Sequence, residues 1–182
     1  AGLLAGAFSM AAGEYVSMRS QRDVYEHQIN LKRTEIEMWP EEEEEELFLI
    51  YQAKGLSKKE AEIIAKRLIA DPEIALDTMA REELGLNPSE LGSPWGASFS
   101  SFAAFVTGAL IPIIPYVVGA TDLAIPLSAV LSAGALLTVG GALAWMTDRS
   151  AVWGALRMVI AGGAAATVTF GVGSLIGTSL ST

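Results

Sequence analysis

The chain contains 182 residues, of which 51% are hydrophobic and 18% are charged, and its formal net charge at pH 7 is −9. Residues 20–96 hold 18 of the 21 acidic and 9 of the 12 basic side chains, so residues 97–182 are almost uncharged. A single soluble domain is excluded, because so apolar a segment would not stay in water. The negative charge argues against a nucleic-acid-binding protein, since phosphate would be repelled. The sequence has no cysteine, which excludes disulfides, thiolate zinc sites and a cysteine nucleophile.

The first predicted element is a membrane-spanning helix over residues 1–19. Its apolar run is interrupted by one acid, Glu14. The run begins with Ala and has no basic residues before it, so it is not typical of a signal peptide. We therefore expect a transmembrane helix whose preceding sequence has been removed.

Residues 20–96 are predicted to form a helical domain rather than a disordered acidic tail. Residues 20–38 lack Gly and Pro and continue the first helix, which should end at Trp39, because the residue before a proline is pushed away from the α region. Ser57 and Glu60 form a capping-box pattern at the start of a later helix. The three further helices are expected over residues 40–54, 58–70 and 72–84, followed by a linker over residues 86–96.

Three apolar stretches complete the chain, and each is long enough to cross a hydrocarbon core of about 30 Å. They cover residues 97–119, 123–146 and 151–176. Arg149 lies in the turn between the last two stretches, whereas the turn before them has no basic residue. Arg19 and Arg22 follow the first span, so the positive-inside rule predicts that residues 20–96 and this turn share the cytoplasmic side. The predicted fold class is all-α, a polytopic membrane helical bundle with an inserted cytoplasmic helical domain.

The first candidate metal-binding pair lies in the first span. Met10 and Glu14 are four residues apart and so share one helix face. An ionisable group at membrane depth is costly and usually faces a pathway or a partner. A thioether beside a carboxylate offers one soft and one hard ligand to a divalent metal. The alternative is that Met10 is a packing residue and Glu14 pairs with a neighbouring helix.

The acidic segment contains the second candidate site. Glu43 and Glu46 share a helix face just after the predicted turn between the first two helices, and Glu35 lies just before that turn. The turn could bring these carboxylates together, and Met79 and Glu83 form a further i,i+4 pair. Clustered carboxylates repel one another unless a cation neutralises them, and the methionine favours iron(II) or a similar transition metal. The alternative is a solvated acidic face.

No motif typical of an enzyme is visible in the sequence. It contains no Gly-rich phosphate loop, no Ser/His/Asp arrangement and no HExxH zinc motif. We therefore expect neither an enzyme nor a prosthetic group.

The order and spacing of its motifs resemble those of the vacuolar iron transporter family, and specifically of a bacterial-type member that lacks its first helix. The residues that carry this resemblance are 5–15 (AGAFSMAAGEY), 20–23 (SQRD) with Tyr25-Glu26, Trp39-Pro40 followed by acids, Met79 with 83–86 (ELGL), and 108–115. The resemblance implies five transmembrane helices per subunit, of which this chain holds the second to fifth. It also implies a homodimer with a cation path at its interface, and a cytoplasmic metal-binding domain inserted after the second helix.

The resemblance also implies roles for individual residues. Met10 falls at the family's pore methionine. The positions that fall at metal-binding residues of the cytoplasmic domain are Glu35, Glu43, Glu46, Met79 and Glu83. Lys32 stands where the plant-type pattern has another glutamate, and Ala80 stands where it has a second methionine. The site is therefore expected to be smaller here, or to be completed by neighbours such as Glu26, Glu42 or Glu82.

The predicted function is proton-coupled export of iron(II), with manganese as a second cargo, from the cytosol across a lipid bilayer. The membrane would be the plasma membrane in a bacterium and the vacuolar membrane in a eukaryote. The alternative is a membrane-anchored metal buffer or sensor that binds the metal without transporting it. A third possibility is a purely structural membrane anchor, which would bind no metal.

Overall fold

The structure is a computed structural model that describes the backbone of residues 1–179 and the side chains of residues 1–176. Within that range all regular secondary structure is α-helical, which confirms the predicted all-α class. Residues 180–182, which belong to the predicted membrane segment 97–182, lie outside the described residues. The helices are α1 (Gly2–Met38), α2 (Pro40–Ala53), α3 (Lys58–Ile69), α4 (Pro72–Glu82), α5 (Pro94–Val117), α6 (Ala124–Met146) and α7 (Ala151–Ser179).

The long helix α1 ends where the sequence predicts. The backbone N–H of Trp39 donates to the carbonyl of Glu35 over 2.8 Å, and Pro40 then begins α2 as its first residue. Proline suits that position because its missing N–H has no helical partner there. The first turn of α2 is acidic, and the positive end of the helix dipole stabilises these negative charges. The tight connection keeps the end of α1 beside the start of α2.

The two shorter helices begin at side-chain caps. Ser57 and Glu60 form the predicted capping box, with the Ser57 N–H donating to a Glu60 carboxylate oxygen over 3.0 Å. Asp71 caps α4 by accepting from the backbone N–H groups of Glu73 and Ile74, at 3.1 and 3.3 Å. These caps satisfy donors that have no partner within a helix. They also explain why α3 and α4 start at the predicted residues, Lys58 and Pro72.

The chain divides into two compact units, Ala1–Ala103 and the residues from Ala104 onward. The first unit contains α1 to α4 and the first part of α5. Its apolar core is built from all four of the first helices, and the buried members are Ile36, Leu47, Ala65, Ala75, Leu76 and Met79. This core packs the end of α1 against α2 and α4, and thereby determines which polar side chains meet above it.

Three helices of the described chain are long and apolar enough to cross a membrane, over Pro94–Val117, Ala124–Met146 and Ala151–Ile176. The first of them begins three residues before the predicted stretch. Ser93 accepts the backbone N–H of Gly96 over 3.1 Å and so starts the helix inside the predicted linker. The apolar half of α1 is helical as predicted. It is less apolar than the three candidate spans, so its insertion in the membrane stays a prediction.

In the second unit α6 and α7 pack closely at two glycines. A methyl group built on Gly140 would lie 2.7 Å from the carbonyl oxygen of Gly154. A methyl group on Gly154 would lie 2.6 Å from the carbonyl oxygen of Gly140. Small residues of this kind let helix backbones approach closely in an apolar environment.

Candidate metal centre

The predicted carboxylates of the acidic segment converge in the folded chain. Glu35 lies in the last turn of α1, Glu43 and Glu46 in the first turns of α2, and Glu83 directly after α4. One carboxylate oxygen from each of Glu43, Glu46 and Glu83 can be chosen so that all lie within 4.8 Å of one another. Oxygen ligands lie about 2.0–2.6 Å from a divalent metal ion, so ligands of one ion are separated by no more than about twice that distance. The spacing is therefore compatible with a shared ion.

A lysine side chain lies at the centre of these carboxylates. The ammonium nitrogen of Lys32 is 2.8 Å from an oxygen of Glu83 and 2.9 Å from one of Glu35. It is also 3.2 Å from an oxygen of Glu43 and 3.4 Å from one of Glu46. We call these five residues the Lys32 cluster. One ammonium group therefore contacts every carboxylate that the sequence predicted to bind metal in this segment.

The Lys32 cluster is closed at one end and open at the other. The side chains of Lys32 and Glu43 are only 6% and 7% exposed. Those of Glu35 and Glu46 are 40% and 42% exposed, and that of Glu83 is 27% exposed. Glu43 therefore forms the floor of the cluster, whereas Glu35 and Glu46 line its opening to solvent.

Burial and charge act in opposite directions on the central lysine. Burial by itself lowers the pKa of Lys32, because an ammonium ion is poorly solvated inside a protein. Hydrogen bonds to the carboxylates of Glu83, Glu35 and Glu43 outweigh that effect, and the pKa is raised well above 10.5, the ordinary value for lysine. Lys32 is therefore a permanent positive charge within the cluster at physiological pH.

The pKa of Glu43 is also shifted, again by burial and by the charges of its neighbours. Burial raises the pKa of the Glu43 carboxyl, the contact with Lys32 lowers it, and the charges of Glu46 and Glu35 raise it further. The net pKa is above the ordinary value of 4.5. The Lys32 cluster contains four acidic groups and only one ammonium group. The lysine can therefore neutralise only part of the negative charge of the carboxylates.

Met79 lies below this cluster in the apolar core. Its side chain is fully buried in the core cluster that contains Leu47 and Ile36. It lies one helical turn before Glu83, whose N–H donates to the Met79 carbonyl over 2.9 Å. The structure therefore accounts for Met79 as a packing residue, and its role as a metal ligand stays a prediction. Ala80, at the position of the second methionine in the resemblance, is also buried.

Met10 and Glu14 are far from the Lys32 cluster. Both lie in α1, and Glu14 is 21 positions before Glu35, which corresponds to about 32 Å along a helix axis. Both side chains are exposed in the described chain. On the same part of α1, Ser98 of α5 donates to the carbonyl of Ala11 over 2.9 Å, and the rings of Phe8 and Phe102 lie 5.2 Å apart. The structure thus separates the two predicted sites.

The central position of Lys32 was not predicted from the sequence. A signal for it was present, because Ile29, Lys32 and Ile36 follow the i, i+3, i+7 spacing of a core-facing helix stripe. A lysine on such a stripe is buried and needs acidic partners. The sequence supplies many acids nearby, but it does not say which of them fold over the lysine.

The comparison with known proteins identifies the family. Residues 1–174 match the model of the VIT family. The chain belongs to the VIT family. A protein of Acanthamoeba castellanii named vacuolar iron transporter is 38% identical over 181 residues, covering 96% of this chain and 67% of its own length.

Two further relatives are also named vacuolar iron transporters. Vacuolar iron transporter 1 of Eucalyptus grandis is 30% identical over 173 residues, covering 94% of this chain and 70% of its own length. The vacuolar iron transporter of Toxoplasma gondii is 32% identical over 184 residues, covering 96% and 61%. These relatives are named as transporters, and the prediction that this VIT-family chain is not an enzyme agrees with them.

Proposed function

We propose that this protein transports iron(II) across a membrane, out of the cytosol, with manganese(II) as a second candidate cargo. The observation that carries the proposal is the match of residues 1–174 to the VIT family, together with relatives named as iron transporters. The three apolar helices provide the membrane anchorage that a transporter needs. The membrane is the plasma membrane if the cell is bacterial and the vacuolar membrane if it is eukaryotic.

In this proposal the helical domain collects the metal on the cytoplasmic side. The carboxylate spacing of Glu43, Glu46 and Glu83 supports this role, and Glu35 adds a fourth oxygen donor at the opening of the cluster. Met79 is the proposed soft ligand, which would come into reach by a change of side-chain conformation. Carboxylates must be deprotonated to bind metal, so metal uptake competes with protons. We propose proton antiport as the coupling, with protons and metal exchanging on these carboxylates.

Met10 and Glu14 are the proposed ligands within the membrane passage. They project from α1 on a side that the described chain leaves exposed. A carboxylate left against lipid would be costly, so we propose that a second subunit covers this side. The passage would then run between two copies of α1 in a homodimer.

Metal flux through the complete protein in liposomes tests the transport proposal. We expect iron(II) uptake driven by a pH gradient, read from quenching of a trapped metal-sensitive dye under anaerobic conditions. The double variant Met10→Ala, Glu14→Ala should lose most of this flux. The matched control is Met146→Ala, Asp122→Ala, which removes the same chemical groups at the end of α6 and in the connection before it. Equal flux through both double variants would refute the assignment of the passage.

The same measurement separates transport from storage. A metal buffer or sensor would bind iron(II) in solution yet show no flux in liposomes for the unmodified protein. That outcome would replace the transporter by the membrane-anchored buffer. A protein that neither binds nor transports the metal would be a structural anchor.

A further inference from the structure

We infer that Lys32 is a tethered counter-ion that occupies the metal position of the carboxylate cluster, so that a divalent cation binds there only by displacing its ammonium group. The inference rests on the proposed function only in taking a divalent transition metal as the ligand of the cluster. It adds a residue that sets the affinity of the site and that holds the cluster together when metal is absent.

The ammonium group and a metal ion would need the same space. The Lys32 nitrogen lies between 2.8 and 3.4 Å from an oxygen of each of the four glutamates. A metal bound to oxygens of Glu43, Glu46 and Glu83, which lie within 4.8 Å of one another, would sit in their midst and next to that nitrogen. Two positive charges so close in a buried site repel strongly. Metal binding and the observed position of Lys32 therefore exclude each other.

The exposure of the cluster shows how the exchange takes place. Glu35 and Glu46 are the most exposed carboxylates of the cluster, whereas Glu43 is as deeply buried as Lys32. A metal ion therefore enters past Glu35 and Glu46, and the ammonium group leaves through the same opening. The flexible four-carbon stem of lysine allows this movement without a change in α1.

The exchange has two consequences for binding. In the metal-free protein the ammonium group relieves the repulsion among the carboxylates, so the cluster needs no metal to stay folded. A divalent ion must compete with the Lys32 ammonium group, which is tethered to the site. The tether acts like a high local concentration of a competing cation and so weakens metal binding. Sodium and potassium carry the same single charge as the ammonium group and gain little by replacing it. The lysine thus raises the metal concentration at which the site fills and excludes monovalent ions.

Manganese(II) binding to the complete protein tests this inference, because free Mn²⁺ is counted directly by electron paramagnetic resonance in air. Lys32→Met and Lys32→Gln remove the charge with side chains that are only one atom shorter than lysine. We expect each to bind Mn²⁺ roughly tenfold more tightly or better than the unmodified protein, as expected for removal of a close like charge. The matched control is Lys54→Met, which removes a lysine paired with Glu82 elsewhere in the same domain and should change the affinity less than about twofold.

A second substitution shows where the extra affinity arises. Adding Glu43→Gln to Lys32→Met should abolish the gain, because Glu43 is the buried floor of the cluster. The inference is overturned if the Lys32 variants bind Mn²⁺ no better than the unmodified protein, or if the gain persists without the Glu43 carboxylate.

Lysine labelling in the unmodified protein decides the question if both Lys32 variants fail to fold. Reductive methylation followed by mass spectrometry reports which lysines are accessible. We expect Lys32 to be protected without metal and to become reactive at saturating Mn²⁺, while Lys54 reacts in both states. Any other pattern for Lys32 overturns the inference.

The outcomes also separate this inference from the transport proposal. A gain of Mn²⁺ affinity in the Lys32 variants, combined with no flux through the unmodified protein, supports the counter-ion and removes the transporter. Normal flux combined with no gain of affinity removes the counter-ion and leaves the transporter in place.

Discussion

The ammonium nitrogen of Lys32 lies 2.8 Å from a carboxylate oxygen of Glu83, and this contact joins the end of α1 to the end of α4. The same nitrogen reaches α2 through Glu43 at 3.2 Å. Three helices that are separated in the sequence are thus connected through one charged atom. Because α1 also carries Met10 and Glu14 further along the same helix, the contact lies on the element that connects the two candidate sites.

Lys32 should be important for the stability of the helical domain. Lys32→Met leaves the buried Glu43 carboxylate without its partner, and loss of one member of a buried ion pair costs about 3–5 kcal/mol. Lys54→Met, which breaks an exposed pair with Glu82, should cost less than about 1 kcal/mol. Denaturant unfolding followed by helical circular dichroism measures both values. Equal costs for the two variants would contradict the central role of Lys32.

The stability of the same domain should depend on alkaline pH. The pKa of Lys32 is raised in the folded protein above its ordinary value of 10.5, so the folded state holds this proton more tightly than the unfolded state. The stabilisation is therefore complete below pH 10.5 and is lost progressively as the pH rises above it. We expect the thermal midpoint of the unmodified protein to fall more steeply between about pH 10 and 11.5 than that of Lys32→Met. Parallel curves would show that the lysine contributes no such linkage.

The glutamate run that opens α2 should contain both ligands and bystanders. Glu46 belongs to the Lys32 cluster, whereas its neighbour Glu45 is exposed and lies outside that cluster. Glu46→Gln should weaken Mn²⁺ binding roughly tenfold, because it removes a charged ligand, and Glu45→Gln should change it less than about twofold. Calorimetric titration of the complete protein provides the comparison. Similar losses in both variants would indicate a diffuse acidic surface instead of a defined site.

The close packing of α6 on α7 should be sensitive to a single methyl group. In Gly154→Ala the added carbon would meet the Gly140 carbonyl at 2.6 Å, so the helices must separate, at a cost of about 1–3 kcal/mol. Gly163→Ala, in the same helix, adds its methyl group where nothing lies within 4 Å. Thermal unfolding in detergent should therefore distinguish the two variants. A loss of stability in Gly163→Ala as large as in Gly154→Ala would contradict this packing.

Local features of the sequence were sufficient to predict most helix boundaries. Trp39 before Pro40 ends α1, Asp71 before Pro72 begins α4, and Ser57 with Glu60 begins α3, because each of these signals acts within one or two turns of backbone. The start of α5 was predicted three residues too late. Ser93 provides a cap that was treated as part of the linker, although its hydroxyl accepts the N–H of Gly96 over 3.1 Å.

The approach of the carboxylates could be predicted from the sequence, but the charge balance around them could not. The spacing of Glu43 and Glu46 on one helix face, and of Glu35 before a tight turn, already indicated that these carboxylates would approach one another. Glu83 joins them because α4 packs against α1 in the core around Leu47 and Met79. That packing also buries Met79, which the sequence could equally assign to metal binding.

By itself the sequence determined the helical class, the three apolar spans, the caps and the family, because these depend on composition and on residues close together in the chain. The tertiary structure alone decided that Lys32, rather than empty space, lies among four carboxylates from α1, α2 and the end of α4. The physical reason is that electrostatic neutralisation depends on distances between helices, and those distances are established by core packing rather than by spacing along the chain.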